Sequence, residues 1–87
     1  MTARAGVSSA FVASHRPWVD QQAWRLLRTL PANVERADLV QVGLIAVWQC
    51  AQSFEDTGEP DAFKRYAGRR VKGAMLDELR GMDHLSR

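Results

Sequence analysis

The sequence predicts an all-α fold: a compact bundle of three main helices, with room for a short extra helix near the N-terminus. Three segments carry apolar residues at the spacing of an amphipathic helix, and no stretch alternates with the period of two that marks a strand. Turn-forming residues separate the segments at Pro31 and at residues 55–60 (EDTGEP). With 87 residues, the chain is long enough for one small domain with a modest core.

The first helix is predicted from about Pro17 to Leu30. Pro17 suits the first turn of a helix, and Pro31 ends it. An apolar stripe marks the side that we expect to be buried; its members are Val19, Ala23, Leu26, Leu27 and Leu30. Trp18 and Trp24 fall outside this stripe, so they could cover a neighbouring helix, or Trp18 could fix the N-terminal segment.

The second helix is predicted from about Arg36 to Phe54, and both of its sides are apolar. One face has the residues expected of a core, namely Leu39, Gly43, Ala46, Val47, Cys50 and Phe54. The opposite face, which should be charged, carries Gln41, Leu44, Ile45, Trp48 and Gln52. This second cluster needs a cover, and either another helix of the domain or a partner protein could provide it.

The third helix is predicted to follow the N-cap Asp61 and to end near Arg80, with Gly81 as its stop signal. Its core face holds Phe63, Ala67, Val71, Ala74 and Met75. The other face holds Tyr66, Arg69, Arg70, Gly73, Asp77 and Arg80, flanked by Lys72 and Leu76. In the middle of a helix, Gly68 and Gly73 each destabilise the helix by up to about 1 kcal/mol relative to alanine. A glycine tolerated there often marks a place where another backbone or a ligand comes close.

The net charge of +2 is unevenly distributed along the chain. Residues 1–32 carry +3, residues 33–61 carry −5 and residues 62–87 carry +4. The basic C-terminal part could bind phosphates, and Tyr66 on the same helix could stack on an unpaired base. Solvated helix faces would give the same pattern, so the charges alone leave both interpretations open.

Several classes of protein are disfavoured by what the sequence lacks. The single cysteine, Cys50, excludes an internal disulfide, fits a reducing compartment and lies in an apolar run where a small buried side chain is expected. No signal peptide or membrane-spanning run is apparent, so we expect a cytoplasmic protein with no membrane partner. No catalytic motif, metal-ligand set or cofactor motif is present, so we expect neither an enzyme nor a bound cofactor or metal.

Two longer stretches resemble a known family. Residues 38–54 (DLVQVGLIAVWQCAQSF) and 63–80 (FKRYAGRRVKGAMLDELR) resemble the second conserved region of bacterial sigma factors. The sequence GAMLDELR at 73–80, with TLP at 29–31, is most similar to the motility (flagellar) branch. The resemblance covers residues 15–87 and leaves residues 1–14 as an N-terminal segment that could be flexible.

The resemblance implies a helical domain that docks on core RNA polymerase, at the clamp helices of the beta-prime subunit. Carried over position by position, the docking role falls on Asp38, Gln41, Val42, Leu44 and Trp48. Most of these residues belong to the unexplained apolar face of the second helix. The resemblance therefore favours a partner as the cover of that face.

The resemblance also implies that the third helix holds the non-template strand of the minus-ten promoter element as it melts. Carried over, this role falls on Tyr66, Arg69, Arg70 and Lys72, with help from Arg80. A flipped base must regain the stacking that it loses in the duplex, and the ring of Tyr66 can supply it. The basic neighbours would hold the backbone of the strand.

The sequence departs from the family pattern at two places. Housekeeping sigma factors have a tryptophan pair where this chain has Arg69 and Arg70, so strand separation would depend more on charge; this is usual in the motility branch. At the end of the chain, His84 and Ser86 replace the tryptophan and proline of a D-W-x-P-R pattern. The chain could be an excised part of a sigma factor or a short sigma-like protein.

A second hypothesis is a sigma-like protein-interaction module. Such a module would be bound by polymerase or by an anti-sigma factor, without productive contact with DNA. The two hypotheses differ in what they require of the Tyr66 face, which must be exposed for DNA binding and can be covered otherwise.

Overall fold

The computed structural model describes residues 9–29, 33–55, 58–59 and 61–85, with only the backbone described for 81–85. Within these ranges the chain forms four helices: α1 (Ser9–Ala13), α2 (Arg16–Thr29), α3 (Arg36–Ser53) and α4 (Ala62–Leu85). The predicted all-α fold, with three main helices and a short N-terminal one, is confirmed. Leu30 and residues 1–8 of the predicted N-terminal segment lie outside the described residues, and α1 lies within that segment.

The core lies where the predicted apolar faces of the three long helices meet. Helix α3 is central and packs on both α2 and α4. The predicted members that are buried are Val19, Ala23, Leu26, Leu39, Gly43, Ala46, Val47, Cys50, Ala67, Val71 and Met75. Val34, Val40 and Leu79 are also buried and extend the core beyond the predicted set. The two apolar faces of α3 therefore differ, because the described residues bury one of them and leave much of the other exposed.

Gly43 is the point where the three long helices come closest. A Cβ at this position would lie 2.6 Å from Cγ1 of Val19 on α2 and 2.7 Å from Cε of Met75 on α4. It would also lie 3.2 Å from Cγ1 of Val71. Only a residue without a side chain lets α3 approach both neighbours this closely.

One expectation about the glycines of α4 was wrong, and one of the two alternatives offered for Gly68 and Gly73 is contradicted. Helix α4 continues past Gly81 to Leu85, because a glycine inside a helix costs only about 1 kcal/mol and no proline or turn follows it. Among the described residues no other backbone approaches Gly68 or Gly73, since a Cβ at either position would meet nothing within 4 Å, and approach by a ligand stays a prediction. The close approach belongs to Gly43 instead.

The start of α4 differs in detail from a usual N-cap. The carbonyl of Asp61 accepts a hydrogen bond from the Arg65 N–H at 2.9 Å, as expected of the residue before a helix. Its φ of 66°, however, lies in the left-handed region, whereas an N-cap residue is usually extended. Aspartate is among the residues that tolerate this conformation.

Aromatic rings hold α1 against the rest of the domain. The ring of Phe11 in α1 lies 4.9 Å from that of His15 and 5.4 Å from that of Phe63 in α4. The rings of His15 and Phe63 are 5.0 Å apart. None of the described helices is long and apolar enough to span a bilayer.

Candidate functional site

The exposed side of α3 is apolar. We call the set Gln41, Leu44, Ile45, Trp48 and Gln52 the α3 outer face. Ile45 is 46% exposed and Trp48 is 47% exposed, so in the described part of the chain no other helix covers them. Leu44 is half-buried and packs against the core, which anchors the middle of the face. An exposed cluster of this kind, framed by glutamines, is typical of a protein-docking surface.

The predicted docking residues are distributed unequally over this face. Gln41 and Trp48 are exposed on it, whereas Val42 is half-buried at its edge. Asp38 is exposed in the first turn of α3, where a carboxylate also stabilises the helix dipole. Ile45 was missing from the predicted set, although its spacing of four from Gln41 and three from Trp48 places it at the centre of the face.

The predicted DNA-binding residues lie along α4 but do not converge on one point. Tyr66 is 38% exposed, and Arg69, Arg70, Lys72 and Arg80 are all exposed. Tyr66 and Arg80 are about 21 Å apart along the helix axis, at 1.5 Å per residue. Arg80 Nη1 lies 3.4 Å from Asp77 Oδ1, one turn away on the same helix. Both of these side chains are largely exposed, so the pair contributes little to stability.

A groove runs between α2 and α4. We call it the α2–α4 groove; it has a volume of about 500 Å³ and is lined by Trp18, Gln22, Asp61, Lys64, Arg65, Gly68, Arg69 and Lys72. Arg69 and Lys72 are the predicted site residues that it brings together. A Cβ at Gly68, which lines the groove, would meet nothing within 4 Å, so packing does not require a glycine there.

Several residues of the groove were missed from the sequence. The sequence predicts for Trp18 a role in covering a neighbouring helix or fixing the N-terminal segment, but no place at a groove, and it assigns Lys64 and Arg65 to no face. The spacing of four between Lys64, Gly68 and Lys72 would have placed them on a third side of α4, next to α2. A division of α4 into a core face and an opposite face does not reveal this third side, which lies beside α2.

The positive charge of the groove is mostly uncompensated. Arg65 pairs with Glu59 at 3.0 Å, but no ion pair in the described part of the chain involves Arg69 or Lys72. Arg70 lies on the other side of α4, towards Cys50. Burial raises the pKa of the Cys50 thiol, and the nearby charge of Arg70 opposes this shift. Cys50 is therefore a neutral, buried thiol, as the sequence predicted.

Trp18 is fixed at the wall of the groove by His15. The indole Nε1–H of Trp18 donates a hydrogen bond to Nδ1 of His15 at 3.0 Å, and the two rings meet edge to face at 5.9 Å. Burial, and secondarily the charge of Lys64, lowers the pKa of His15 below its ordinary value of 6.5. The neutral form of His15, which can accept this hydrogen bond, is thus favoured.

The Sigma-70 region 2 family matches residues 11–84, and the chain belongs to this family. The resemblance inferred from the sequence is therefore confirmed. No solved structure is significantly similar to the chain.

Curated relatives are named as sigma factors of RNA polymerase. The chain is 42% identical over 72 residues to the RNA polymerase sigma factor FliA of Pseudomonas aeruginosa. The matched residues are 83% of this chain and 29% of the relative. It is 44% identical over 71 residues to the RNA polymerase sigma factor FliA of Escherichia coli K12. The matched residues are 82% of this chain and 29% of the relative. The RNA polymerase sigma-D factor of Bacillus subtilis is 32% identical over 73 residues. The matched residues are 84% of this chain and 28% of the relative. The chain spans less than a third of the length of these relatives.

Proposed function

We propose that the chain is the part of a sigma factor that docks on core RNA polymerase and recognises and melts the minus-ten promoter element, at motility-type genes. The observation that carries this proposal is the presence of two unlike exposed surfaces on adjacent helices. One is the apolar α3 outer face, and the other is the basic side of α4. Membership of the Sigma-70 region 2 family supports assigning the first to polymerase and the second to DNA.

The α3 outer face suits the clamp helices of the beta-prime subunit. Trp48 and Ile45 present large apolar side chains that are about half-exposed in the free domain. Tryptophan is among the residues that most often dominate binding energy at protein interfaces, when ringed by contacts that exclude water. Gln41 and Gln52 at the border can donate and accept hydrogen bonds without the desolvation cost of a charge. Docking is therefore expected to depend mainly on Trp48 and Ile45.

The basic side of α4 suits a single strand of DNA. The α2–α4 groove offers Arg69 and Lys72 to phosphates, while Tyr66 lies outside the groove and can stack on a base. Arg69 and Arg70 are successive residues of a helix and point about 100° apart, so they would contact the strand on either side of the exposed face of α4. The positive charges of Arg69 and Arg70 would then take the place of the tryptophan pair of the housekeeping sigma factors.

The interaction-module hypothesis is less well supported by the geometry. It allows the Tyr66 face to be covered, yet Tyr66, Arg69 and Arg70 are all exposed in the described part of the chain. An anti-sigma factor could still use the same surfaces in competition with DNA or polymerase. Binding to polymerase without binding to single-stranded DNA would make this hypothesis the better one.

The first experiment is a titration of the chain against the isolated clamp helices of RNA polymerase. We expect saturable binding that Trp48→Ala weakens by about 30-fold or more, the effect of losing a hot-spot side chain worth about 2 kcal/mol. Trp24→Ala is the matched control, because Trp24 on α2 has the same exposed fraction of 47% as Trp48. It should bind nearly as the unchanged chain does.

The stability of each variant decides how the titration is interpreted. Since Trp48 points outward, its loss should leave the melting temperature of the domain almost unchanged. A loss of several kcal/mol would instead identify Trp48 as a core residue and would contradict its docking role. Normal binding by a folded Trp48→Ala variant would equally contradict the proposal.

A further inference from the structure

A row of three aromatic rings joins the end of α3 to the exposed side of α4. The ring of Phe54 lies 5.3 Å from that of Tyr66, with an angle of 37° between the ring planes. On its other side, Phe54 meets Phe63 at 5.3 Å in an edge-to-face arrangement of 79°. Phe54 and Phe63 are half-buried, whereas Tyr66 is 38% exposed. Part of the Tyr66 ring is therefore supported from below, and part remains open to solvent.

Phe54 is itself held firmly. It is the residue after the last turn of α3, with an extended backbone at φ −76° and ψ 135°. Its N–H donates a hydrogen bond of 2.8 Å to the carbonyl of Cys50, a residue that is only 1% exposed. The backbone of Phe54 is thus tied to the core on one side, and its ring is wedged between two other rings.

Ring packing, rather than a hydrogen bond, holds Tyr66 in this position. The hydroxyl of Tyr66 lies 3.4 Å from Oγ of Ser53, at an exposed position. Hydrogen bonds between hydroxyl groups are usually about 2.7–2.8 Å long, so this contact is weak. Phe54, in contrast, meets the Tyr66 ring with its own ring and is half-buried, whereas Ser53 is exposed.

We infer that Phe54 is a positioning residue, which holds the Tyr66 ring in the orientation in which a base can stack on it. The inference rests on the proposed function, because it assumes that Tyr66 contacts DNA. An exposed tyrosine on a helix samples several rotamers, and binding must select one of them at an entropic cost. A ring that is already packed on Phe54 avoids most of that cost. Phe54 itself need not touch the DNA.

The test is binding of a single-stranded oligonucleotide with the minus-ten element of a flagellar promoter. The fluorescent base 2-aminopurine replaces each adenine in turn, so that stacking on a protein ring changes its emission. We expect Phe54→Leu to weaken binding about three- to tenfold, as for one side chain that must be ordered on binding. It should also change the emission at saturation. Phe54→Tyr keeps the ring and should restore both values, and Ser53→Ala should change affinity less than twofold.

A double-mutant cycle with Tyr66→Ala separates positioning from general damage. If Phe54 acts through Tyr66, then Phe54→Leu has no further effect once the Tyr66 ring is removed. An equal loss in both backgrounds, or unchanged emission at saturation with Phe54→Leu, would overturn the inference while leaving the proposed function intact. If Tyr66→Ala binds as tightly as the unchanged chain, the stacking role within the proposed function fails, and the positioning role fails with it. Melting curves establish that each variant is folded at the temperature of the titration.

Discussion

The two exposed surfaces of this domain differ in the physical basis of the binding that they can support. The α3 outer face is uncharged and its centre is anchored to the core through Leu44. The basic side of α4 carries Arg69, Arg70 and Lys72, none of which has an ion-pair partner in the described part of the chain. Binding at the first should depend on buried apolar area and little on salt, whereas binding at the second should weaken steeply as salt rises. Ionic strength therefore distinguishes the two surfaces experimentally.

The two surfaces nevertheless share one support. Both α3 and α4 are held by the close crossing at Gly43, where Val19 and Met75 also meet. A change at the crossing should affect both surfaces together, while a change on either surface should affect only that surface. This difference gives a direct way to test whether the surfaces are independent.

The largest effect on stability is expected from Gly43→Ala. The added methyl group would lie 2.6 Å from Cγ1 of the stiff side chain of Val19, so one of the helices must move. We expect a loss of about 1–3 kcal/mol in the free energy of unfolding, as is typical of overpacked cores. Urea unfolding followed by circular dichroism would measure it. Polymerase binding and DNA binding should then decline together when the domain is partly unfolded.

Gly73→Ala is the matched control for this change. A methyl group at residue 73 meets nothing within 4 Å, so the variant should gain up to about 1 kcal/mol from helix propensity. Stability unchanged by Gly43→Ala, or lost equally in both variants, would contradict the close crossing.

A smaller effect, confined to one surface, is expected from Arg69→Ala and Arg70→Ala. Each should reduce the slope of log affinity against log salt for single-stranded minus-ten DNA by about one unit, because each removes one phosphate contact. Binding to the clamp helices should not change. Arg25→Ala is the control, since Arg25 is an exposed arginine on α2 outside the groove. Unchanged slopes in both α4 variants would contradict their assignment to the strand.

The sequence predicted the long helices well because their apolar periodicity is strong. It also identified Gln41 and Trp48 as outward-facing, since an uncharged face opposite a core face is visible on a helical wheel. Only one side of the α2–α4 groove could be predicted in the same way, namely the side of α4 that carries Lys64, Gly68 and Lys72. The wall of the groove is Trp18, from another helix, and the orientation of that side chain depends on its hydrogen bond with His15. Contacts between helices distant in the chain leave no periodic signal.

The roles of the helical glycines are likewise hard to predict from the sequence. Gly43, Gly68 and Gly73 all lie inside helices, and although the sequence places Gly43 on a core face, it does not show how closely a neighbouring helix approaches each glycine. In the structure, Gly43 is required by packing, Gly68 lines a groove and Gly73 has open space around it. Only the positions of neighbouring helices distinguish these cases. The extension of α4 beyond Gly81 has the same cause, since a glycine is a weak signal in isolation.

The smallest expected effect concerns pH and the wall of the groove. The folded pKa of His15 is lowered, so between this pKa and the ordinary value of 6.5 the unfolded chain binds more protons than the folded one. Stability contributed by neutral His15 is therefore fully present above about pH 6.5 and is lost as the pH falls through the folded pKa. The change should stay below about 1 kcal/mol, because the site is only partly buried.

Comparing the unchanged chain with His15→Gln between pH 7.5 and 5.5 isolates this contribution. All other titratable groups are the same in the two proteins, so their contributions cancel in the difference. The free energy of unfolding should fall more with acidification in the unchanged chain. Trp18 fluorescence should shift over the same range, since a protonated Nδ1 can no longer accept the hydrogen bond from the indole. If both proteins lose stability in parallel, His15 does not hold Trp18 through its neutral form, and the groove wall must be fixed by ring packing alone.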